Sequence, residues 1–274
     1  MRRTALAGSV LNMRSGWARA AIAAAAMLLA GCDDPLTPPV PDRAAIDAAR
    51  REIAQSQAPR PIGRGLPAER AMLQRVAGRL TQAAQPFCQA ELRRGCAFVV
   101  DLADQPQANA FATGRNQVVV TTGMMRLLEN EDELAAVVAH EFAHHIAEHI
   151  SEGSWRTQVG ALAGAAAGAI ATEALGIDIG LERIGAQAGA QAGRLSFSKA
   201  DEREADYLGA YIMARAGFDL ARAGTIWAKL SHLSGRGTTS LLDSHPAGPE
   251  RLATWRQTVE EVRASRDGVP RRDR

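Results

Sequence analysis

The chain has 274 residues, of which 46% are hydrophobic and 23% charged, and its formal net charge is +2. This composition is typical of a globular protein and excludes a disordered, collagen-like or disulfide-dense chain. The near-neutral charge gives no support to nucleic acid binding, and four of the arginines lie in the first 31 residues, which contain no acidic residue.

The first 32 residues have the pattern of a bacterial export signal. Arg14 and Arg19 precede an apolar run at residues 20–30, which is shorter than the roughly 20 residues that a membrane-spanning helix needs. The run ends in LAGC and resembles the lipobox of bacterial lipoproteins, which implies cleavage before Cys32 and a diacylglycerol on its sulfur. Asp33, directly after Cys32, is similar to the signal that retains enterobacterial lipoproteins in the inner membrane, and this resemblance implies the inner membrane over the outer one. An ordinary secretory signal or a buried apolar helix is the alternative.

Two further cysteines, Cys88 and Cys96, remain if Cys32 carries lipid. An even pair in an exported protein favours a disulfide that closes a short loop. Two free, buried thiols are the alternative.

The segment at residues 33–67 is rich in proline, with seven of the 12 prolines of the chain. Such a composition indicates a tether, interrupted here by a short predicted helix at Arg43–Gln55. The chain is therefore divided into an export signal (1–31), a lipidated tether (32–67), a folded domain (68–265) and a polar tail (266–274).

The folded domain is predicted to be α+β and mostly helical, with one small sheet. It begins with a helix whose apolar residues Met72, Leu73, Val76 and Leu80 share one face. Three short strands are predicted at residues 98–102, 108–112 and 117–121. A long helix follows at residues 131–150, with Asn130 as its N-cap and three acidic residues in its first turn.

Residues 159–193 are unusually rich in alanine and glycine. Glycines spaced four apart allow helices to approach closely, which favours a tightly packed helical hairpin. A mobile cover over an active site is the alternative.

The motif HExxH, formed by His140, Glu141 and His144, lies within the long helix. Residues i and i+4 share a face and lie roughly 6 Å apart along the axis, so both imidazoles can bind one zinc ion. Glu141 projects beside the metal, where it can take a proton from the attacking water. The metzincin pattern is absent, because Ala147 and Ile150 stand where a Gly and a His would be.

A catalytic zinc site needs a third protein ligand, and the segment DEREAD at residues 201–206 offers the best carboxylates. Glu202 and Asp206 are four residues apart on a predicted helix. One of them can bind the metal while the other accepts a hydrogen bond from a ligand histidine. Spacing alone does not distinguish Glu202 from Glu204.

Several motifs occur together in a specific order: NAFA at 109–112, EDELA at 131–135, HEFAH at 140–144 with His149, the segment 202–206, and SHP at 244–246. In this combination the chain resembles the HtpX and CAAX prenyl protease family of zinc metallopeptidases over residues 68–260. It is most similar to the soluble periplasmic lipoprotein branch of that family. The resemblance implies a zincin-like domain built around the HExxH helix.

The resemblance also implies which residues form the site. His140, His144 and Glu202 would bind one zinc ion, Glu141 would be the general base, and Asp206 would orient a ligand.

The remaining histidines receive weaker predictions. By the same resemblance, the loop that carries His245 would reach the metal or steady the transition state, with a purely structural role as the alternative. His149 is expected to support the ligands or to end the helix. His145 is expected to be structural or exposed, and His232 receives no role.

The predicted reaction is hydrolysis of peptide bonds. The strand at residues 117–121 is expected to pair with an extended substrate through main-chain hydrogen bonds, which places Asn109, Val118, Val119 and Val120 beside the substrate. Such binding depends on backbone more than on side chains and fits an endopeptidase for unfolded or misassembled polypeptides of the cell envelope, held in the periplasm by its lipid anchor. An envelope chaperone or assembly factor with latent proteolysis and a structural zinc module are the alternatives.

Overall fold

The structure is a computed structural model that describes residues 36–92, 95–113, 115–150, 197–233, 245 and 247–273. The export signal, Cys32 and the alanine- and glycine-rich segment at 159–193 lie outside these residues, so the predictions made for them stay predictions.

The described residues form eight helices and three strands, which confirms a mostly helical α+β fold with a small sheet. In chain order they are α1 Arg43–Gln55, α2 Leu66–Glu91, β1 Val99–Ala103, β2 Ala110–Thr113, β3 Gln117–Thr121, α3 Thr122–Leu127, α4 Glu131–Ile146, α5 Lys199–Arg215, α6 Leu220–Ala223, α7 Thr225–Leu233 and α8 Pro249–Ala264. The short helix predicted at Arg43–Gln55 has these same bounds, and each strand lies within two residues of its predicted range.

The sheet has the strand order β1-β3-β2, so β3 is its central strand. β1 runs parallel to β3, with Val100 opposite Val118, and β2 runs antiparallel to it, with Ala110 opposite Val120. Val118 and Val120 are fully buried while Val119 between them is only partly so, the alternation expected of a strand with one face on the core.

The core is centred on α4, which packs most extensively against α5 and also contacts α2 and the sheet. Gly209 of α5 faces the backbone of Ala139 and His140, and a Cβ atom there would lie 3.3 Å from these backbone atoms. The absence of a side chain at Gly209 therefore allows α5 to approach the part of α4 that begins the HExxH motif.

Helix α4 starts as predicted, because the Asn130 side chain accepts a hydrogen bond from the backbone N–H of Glu133. It ends at Ile146, so the prediction that it continues to residue 150 is wrong. Glu148 adopts the left-handed conformation, with φ of 56°, which an α-helix cannot include. The resulting turn brings His149 back beside His144.

A compact unit spans Thr37–Arg271 and includes α1. α1 packs on α8 and α7, where Glu52 forms an ion pair with Arg256 and Ser56 hydrogen-bonds His232 at 2.8 Å. The segment predicted as a tether thus supplies a helix of this unit. The other unit, taken by itself, includes an isolated antiparallel bridge between Leu36 and Arg272.

A disulfide joins Cys88, near the end of α2, to Cys96, which precedes β1. It ties α2, the longest of the described helices, to the segment that enters the sheet. Among the helices that the structure describes, none is long and apolar enough to cross a bilayer.

Candidate metal centre and active site

His140 and His144 project from one face of α4 into the protein interior. Their Nε2 atoms lie 3.0 Å apart, and the two side chains are 4% and 0% exposed. Two imidazoles in this position, separated by one helical turn, can share a single cation.

Helix α5 brings the carboxylate of Glu202 to the two imidazoles. The helix begins with a capping box, in which Ser198 and Asp201 each accept a hydrogen bond from the other's backbone N–H. One residue further on, the Glu202 oxygens lie 3.4 Å from His144 Nε2 and 3.5 Å from His140 Nε2. The alternative candidate, Glu204, instead lies 3.4 Å from His149.

His245 completes a buried group of four potential ligands. Its Nδ1 lies 2.8 Å from Glu202 Oε1 and 3.1 Å from His140 Nε2. One ligand atom from each of His140, His144, Glu202 and His245 lies within 4.8 Å of the others. Zinc bonds of about 2.0–2.1 Å in tetrahedral geometry separate ligand atoms by about 3.3 Å. The donor types and their spacing therefore fit one zinc ion.

Glu141 is a buried carboxylate beside this group, 1% exposed. Neither of its oxygens accepts a hydrogen bond from the described part of the chain, although His245 Nε2 lies 3.7 Å from Oε1. Buried carboxylates in stable structures are normally hydrogen-bonded. An unpaired one at this position can accept the proton of a water molecule.

The second ring nitrogen of both candidate ligand histidines of α4 also has a partner. His140 Nδ1 lies 2.8 Å from Asp206 Oδ1, and His144 Nδ1 lies 2.9 Å from His149 Nδ1. Hydrogen bonds of this kind hold the ring orientation and direct the other nitrogen at the metal. Asp206 thus lies where the resemblance implied, and His149 lies beside a ligand.

Arg251 was not predicted from the sequence. Its Nε donates to Asp206 Oδ2 at 2.7 Å, and its Nη1 lies 3.0 Å from Glu202 Oε2. The guanidinium stacks on the Trp227 ring at 3.9 Å, a favourable cation–π arrangement. The one available signal was its position in the first turn of the helix that follows the SHP motif.

The buried charges shift the protonation of the ligands. Burial lowers the pKa of His140, but Glu202 and Asp206 outweigh burial and raise it to about 9. Burial, together with the charge of His140, holds the pKa of His144 well below its ordinary value. Burial alone would raise the pKa of Glu202, yet Arg251 and His140 lower it well below its usual range. An ionised Glu202 and a neutral His144 have the protonation states that metal binding requires, whereas His140 at this pKa carries a proton that a bound metal ion must displace.

Aromatic stacking involves one candidate ligand, His144, and separately Phe142 of α4. Phe197, just before α5, stacks on His144 with ring centroids 3.9 Å apart, and Phe142 stacks on Phe98 at 4.0 Å. His145 is buried on the other side of α4 and lies 3.0 Å from the carbonyl oxygen of Gln117. His145 is therefore a buried, structural residue, and the alternative prediction of an exposed position is wrong.

The strand predicted to bind substrate cannot do so in this sheet. Both edges of β3 are occupied, by β1 and by β2, so Val118, Val119 and Val120 have no main-chain groups left for an added strand. The three strands were predicted correctly, whereas no prediction of their order in the sheet was made from the sequence. Asn109 directly precedes β2, which is an edge strand among the residues that the structure describes and packs against α4.

The sequence matches a known peptidase family and several curated relatives. Residues 67–259 match the family described as peptidase family M48. Mitochondrial metalloendopeptidase OMA1 of Arabidopsis thaliana is 29% identical over 184 residues, which are 64% of this chain and 36% of that protein. The protein of the same name from Schizosaccharomyces pombe is 30% identical over 164 residues, 59% of this chain and 47% of that protein.

A bacterial relative carries a different name. The beta-barrel assembly-enhancing protease of Escherichia coli K12 is 34% identical over 174 residues, which are 59% of this chain and 34% of that protein. The chain therefore spans about a third to a half of the length of these relatives.

Proposed function

The chain belongs to peptidase family M48 and is a zinc metallopeptidase, and from this premise we propose that it is an endopeptidase for unfolded or misassembled polypeptides of the cell envelope. The observation that carries the proposal is the convergence of His140, His144 and Glu202 beside the unpaired carboxylate of Glu141. This is the arrangement that hydrolysis of a peptide bond requires.

Zinc, when bound, would polarise the scissile carbonyl and acidify the attacking water. Glu141 removes a proton from that water as its oxygen bonds to the carbonyl carbon, and later delivers the proton to the departing amine nitrogen as the C–N bond breaks. Asp206 keeps the ring of His140 oriented throughout. Arg251 balances the negative charge of Glu202 and Asp206. Without this arginine, the two negative charges would disfavour a third charged carboxylate in the same buried space.

The position of His245 favours a form of the enzyme with low basal activity. Its Nδ1 lies among the three other potential ligands, and its Nε2 faces Glu141. A water molecule and a substrate carbonyl need that place during catalysis. His245 must therefore withdraw, which supports the second candidate function, an envelope chaperone or assembly factor whose proteolysis is normally latent. The name of the E. coli relative, beta-barrel assembly-enhancing protease, is compatible with either function.

An extended substrate is proposed to lie along β2. In the described part of the chain this strand is at the edge of the sheet, and it packs against α4, which carries HExxH. A peptide that adds to such an edge is bound through hydrogen bonds to its backbone. This kind of binding suits unfolded chains, whose sequences vary. Asn109 lies at the start of this edge.

The chain is further proposed to be a periplasmic lipoprotein anchored through Cys32, with the inner membrane favoured by Asp33. The lipobox motif supports this location. Cys32→Ala should move the protein from the membrane fraction to the soluble fraction of cells without unfolding it. Continued partitioning of that variant into membranes would contradict the anchor.

The catalytic proposal is tested with Glu141→Gln. This variant should keep one zinc per chain, because Glu141 is not among the ligand atoms, and should lose cleavage of unfolded casein by at least ~100-fold. Glu260→Gln makes the same chemical change at an exposed position of α8 and should keep full activity. Undiminished cleavage by Glu141→Gln would contradict the proposed mechanism. Rescue of envelope defects by the inactive variant would favour the chaperone function.

A further inference from the structure

A cavity of about 360 Å³ lies directly beside the metal centre. Its walls come from three helices: Ile46 and Arg50 from α1, Lys199 and Arg203 from the start of α5, and Pro249 and Glu250 from the start of α8. The volume is within the range of small-ligand pockets.

The cavity borders the site already described, because Glu202 and Arg251 also line it. Glu202 is one of the four potential metal ligands. A group bound in the cavity would therefore lie beside one of the candidate metal ligands and the arginine that pairs with it. This position is that of a specificity pocket, which holds a substrate group close to the reacting atoms.

Positive charge dominates the rim of the cavity. Arg50, Lys199 and Arg203 face a single rim carboxylate, that of Glu250. Glu250 accepts hydrogen bonds from both Lys199 Nζ at 2.9 Å and Arg203 Nη1 at 3.2 Å, so two cations share one carboxylate. At the inner end, Glu202 is balanced by Arg251 at 3.0 Å.

The ion pair of Arg50 with Asp47 does not cancel the excess of positive charge at the rim. Arg50 pairs with Asp47 of its own helix, and both side chains are largely exposed. Such surface pairs contribute little and exchange readily with other partners.

The helix ends add to the attraction for an anion. α5 begins at Lys199 and α8 begins at Pro249, so the positive ends of two helices meet the cavity. The N-cap of α8 is Gly248, which has no side chain to accept the first backbone N–H groups. Apolar surface from Ile46 and Pro249 completes the walls and can pack against methylene groups.

We propose that this cavity is a specificity pocket that binds a carboxylate of the substrate. The carboxylate belongs to an acidic side chain near the scissile bond or to the C-terminus of the peptide. This inference rests on the proposed function, since it assigns a substrate preference to the same site.

Peptide binding to the zinc-loaded Glu141→Gln chain tests the pocket without turnover. Four fluorescent peptides of one sequence are compared, with either Glu or Gln at a central position and with either a free or an amidated C-terminus. We expect at least one carboxylate to tighten binding about fivefold, the factor that ~1 kcal/mol from a partly exposed ion pair gives. The peptide that binds more tightly shows whether the carboxylate comes from the glutamate side chain or from the C-terminus.

Substitutions at the rim of the cavity test whether its cations cause the preference for a carboxylate. In the same background, Lys199→Gln with Arg203→Gln should remove the preference, whereas Glu250→Gln should increase it by freeing both cations. Arg70→Gln removes one positive charge at an exposed position of α2 that does not line the cavity and should leave the preference unchanged. The preference should also fall as salt rises from about 0.05 M to 0.5 M, because screening weakens exposed ion pairs.

The outcomes separate this inference from the proposed function. Three results would contradict the proposal that the cavity binds a substrate carboxylate. They are equal binding of all four peptides, no binding of any peptide, and a preference that remains after the double substitution. Cleavage of these peptides by the wild-type chain is measured in parallel. A carboxylate preference in binding without any cleavage would support the pocket and contradict the peptidase function, whereas cleavage without a binding preference would do the reverse.

Discussion

His245 is the side chain that contacts both parts of the chemistry, the ligand group through Nδ1 and the base through Nε2. It is also the ligand candidate that comes from outside a helix, since it precedes α8. A side chain with this double contact controls access of water and substrate to the metal. Its removal should therefore separate a ligand role from a catalytic one.

We expect His245→Ala to retain zinc, since three ligands remain, and to cleave casein faster. If His245 occupies the metal in about nine molecules of ten, the gain is about tenfold, because the competent fraction rises accordingly. Zinc content and initial rates measure this. The control is His232→Ala, which removes a histidine that hydrogen-bonds Ser56 away from the metal centre. A lower kcat at unchanged KM would instead show that His245 steadies the transition state.

The residues of the site differ in how far sequence could predict them. His140, Glu141 and His144 follow from helical spacing, which is a local property of the chain. Arg251 could not be predicted in this way, because its partners Glu202 and Asp206 lie on another helix. Their contact depends on how α8 packs against α5, and no local pattern encodes that packing.

At the scale of elements, the distance between α4 and α5 determines the spacing of the ligands. Gly209 allows the close approach, with the backbone of Ala139 and His140 only 3.3 Å from where a Cβ would lie. Backbone atoms cannot move aside as the end of a flexible side chain can. A methyl group at Gly209 must therefore shift α5, and Glu202 with it.

We expect Gly209→Ala to weaken zinc affinity about tenfold or more, since loss of ligand or supporting geometry has that size of effect. The matched control is Gly78→Ala in α2, where a Cβ meets no atom within 4 Å. That change should raise stability by ~0.5–1 kcal/mol through helix propensity and leave zinc binding unchanged. Competition with a zinc chelator and thermal unfolding measure the two effects. Equal zinc affinity in both variants would show that the helix spacing is adjustable.

The contact between α5 and α8 should depend on pH. The hydrogen bond from Lys199 is the main cause that lowers the pKa of Glu250 in the folded protein. A depressed folded pKa contributes stability above the unfolded pKa, about 4.3 for Glu, and this stability is lost as pH falls through the folded value. The Tm advantage of wild type over Glu250→Gln should thus be present at about pH 6 and should shrink as pH falls below about 4. A difference in Tm that does not change with pH would contradict this.

The sheet shows where prediction from elements stops. The three strands follow from alternating and β-branched residues, which are local signals. The order of the strands does not follow from local signals. In the arrangement β1-β3-β2, two strands that are not consecutive in the chain lie side by side, and this depends on the tertiary fold. The predicted substrate strand was wrong for this reason, and the substrate is therefore proposed to lie along β2 instead.

At the scale of the whole molecule, the metal centre joins parts that are distant in sequence. Its ligand candidates come from α4, α5 and the residue His245 before α8. The unfolded chain does not bring them together, so zinc binds the folded state preferentially and stabilises it.

Removal of zinc should therefore lower the melting temperature. At a free zinc concentration ~1,000 times the Kd, the bound ion contributes ~4 kcal/mol, which corresponds to a fall of roughly 8–16 °C in a domain of this size. Calorimetry with and without a chelator measures the change, and Glu141→Gln should show the same fall. A shift below about 1 °C would mean that the ligand group does not hold zinc in the folded chain.

The packing of α1 has a practical consequence for dissecting the molecule. The family match begins at residue 67, yet α1 at Arg43–Gln55 covers α8 and α7 through Glu52 and Ser56. A recombinant fragment cut at the family boundary would uncover apolar surface on the helix that carries Arg251. The smallest autonomous fragment should instead start ahead of Asp42, whose side chain caps α1, and shorter versions should aggregate during purification.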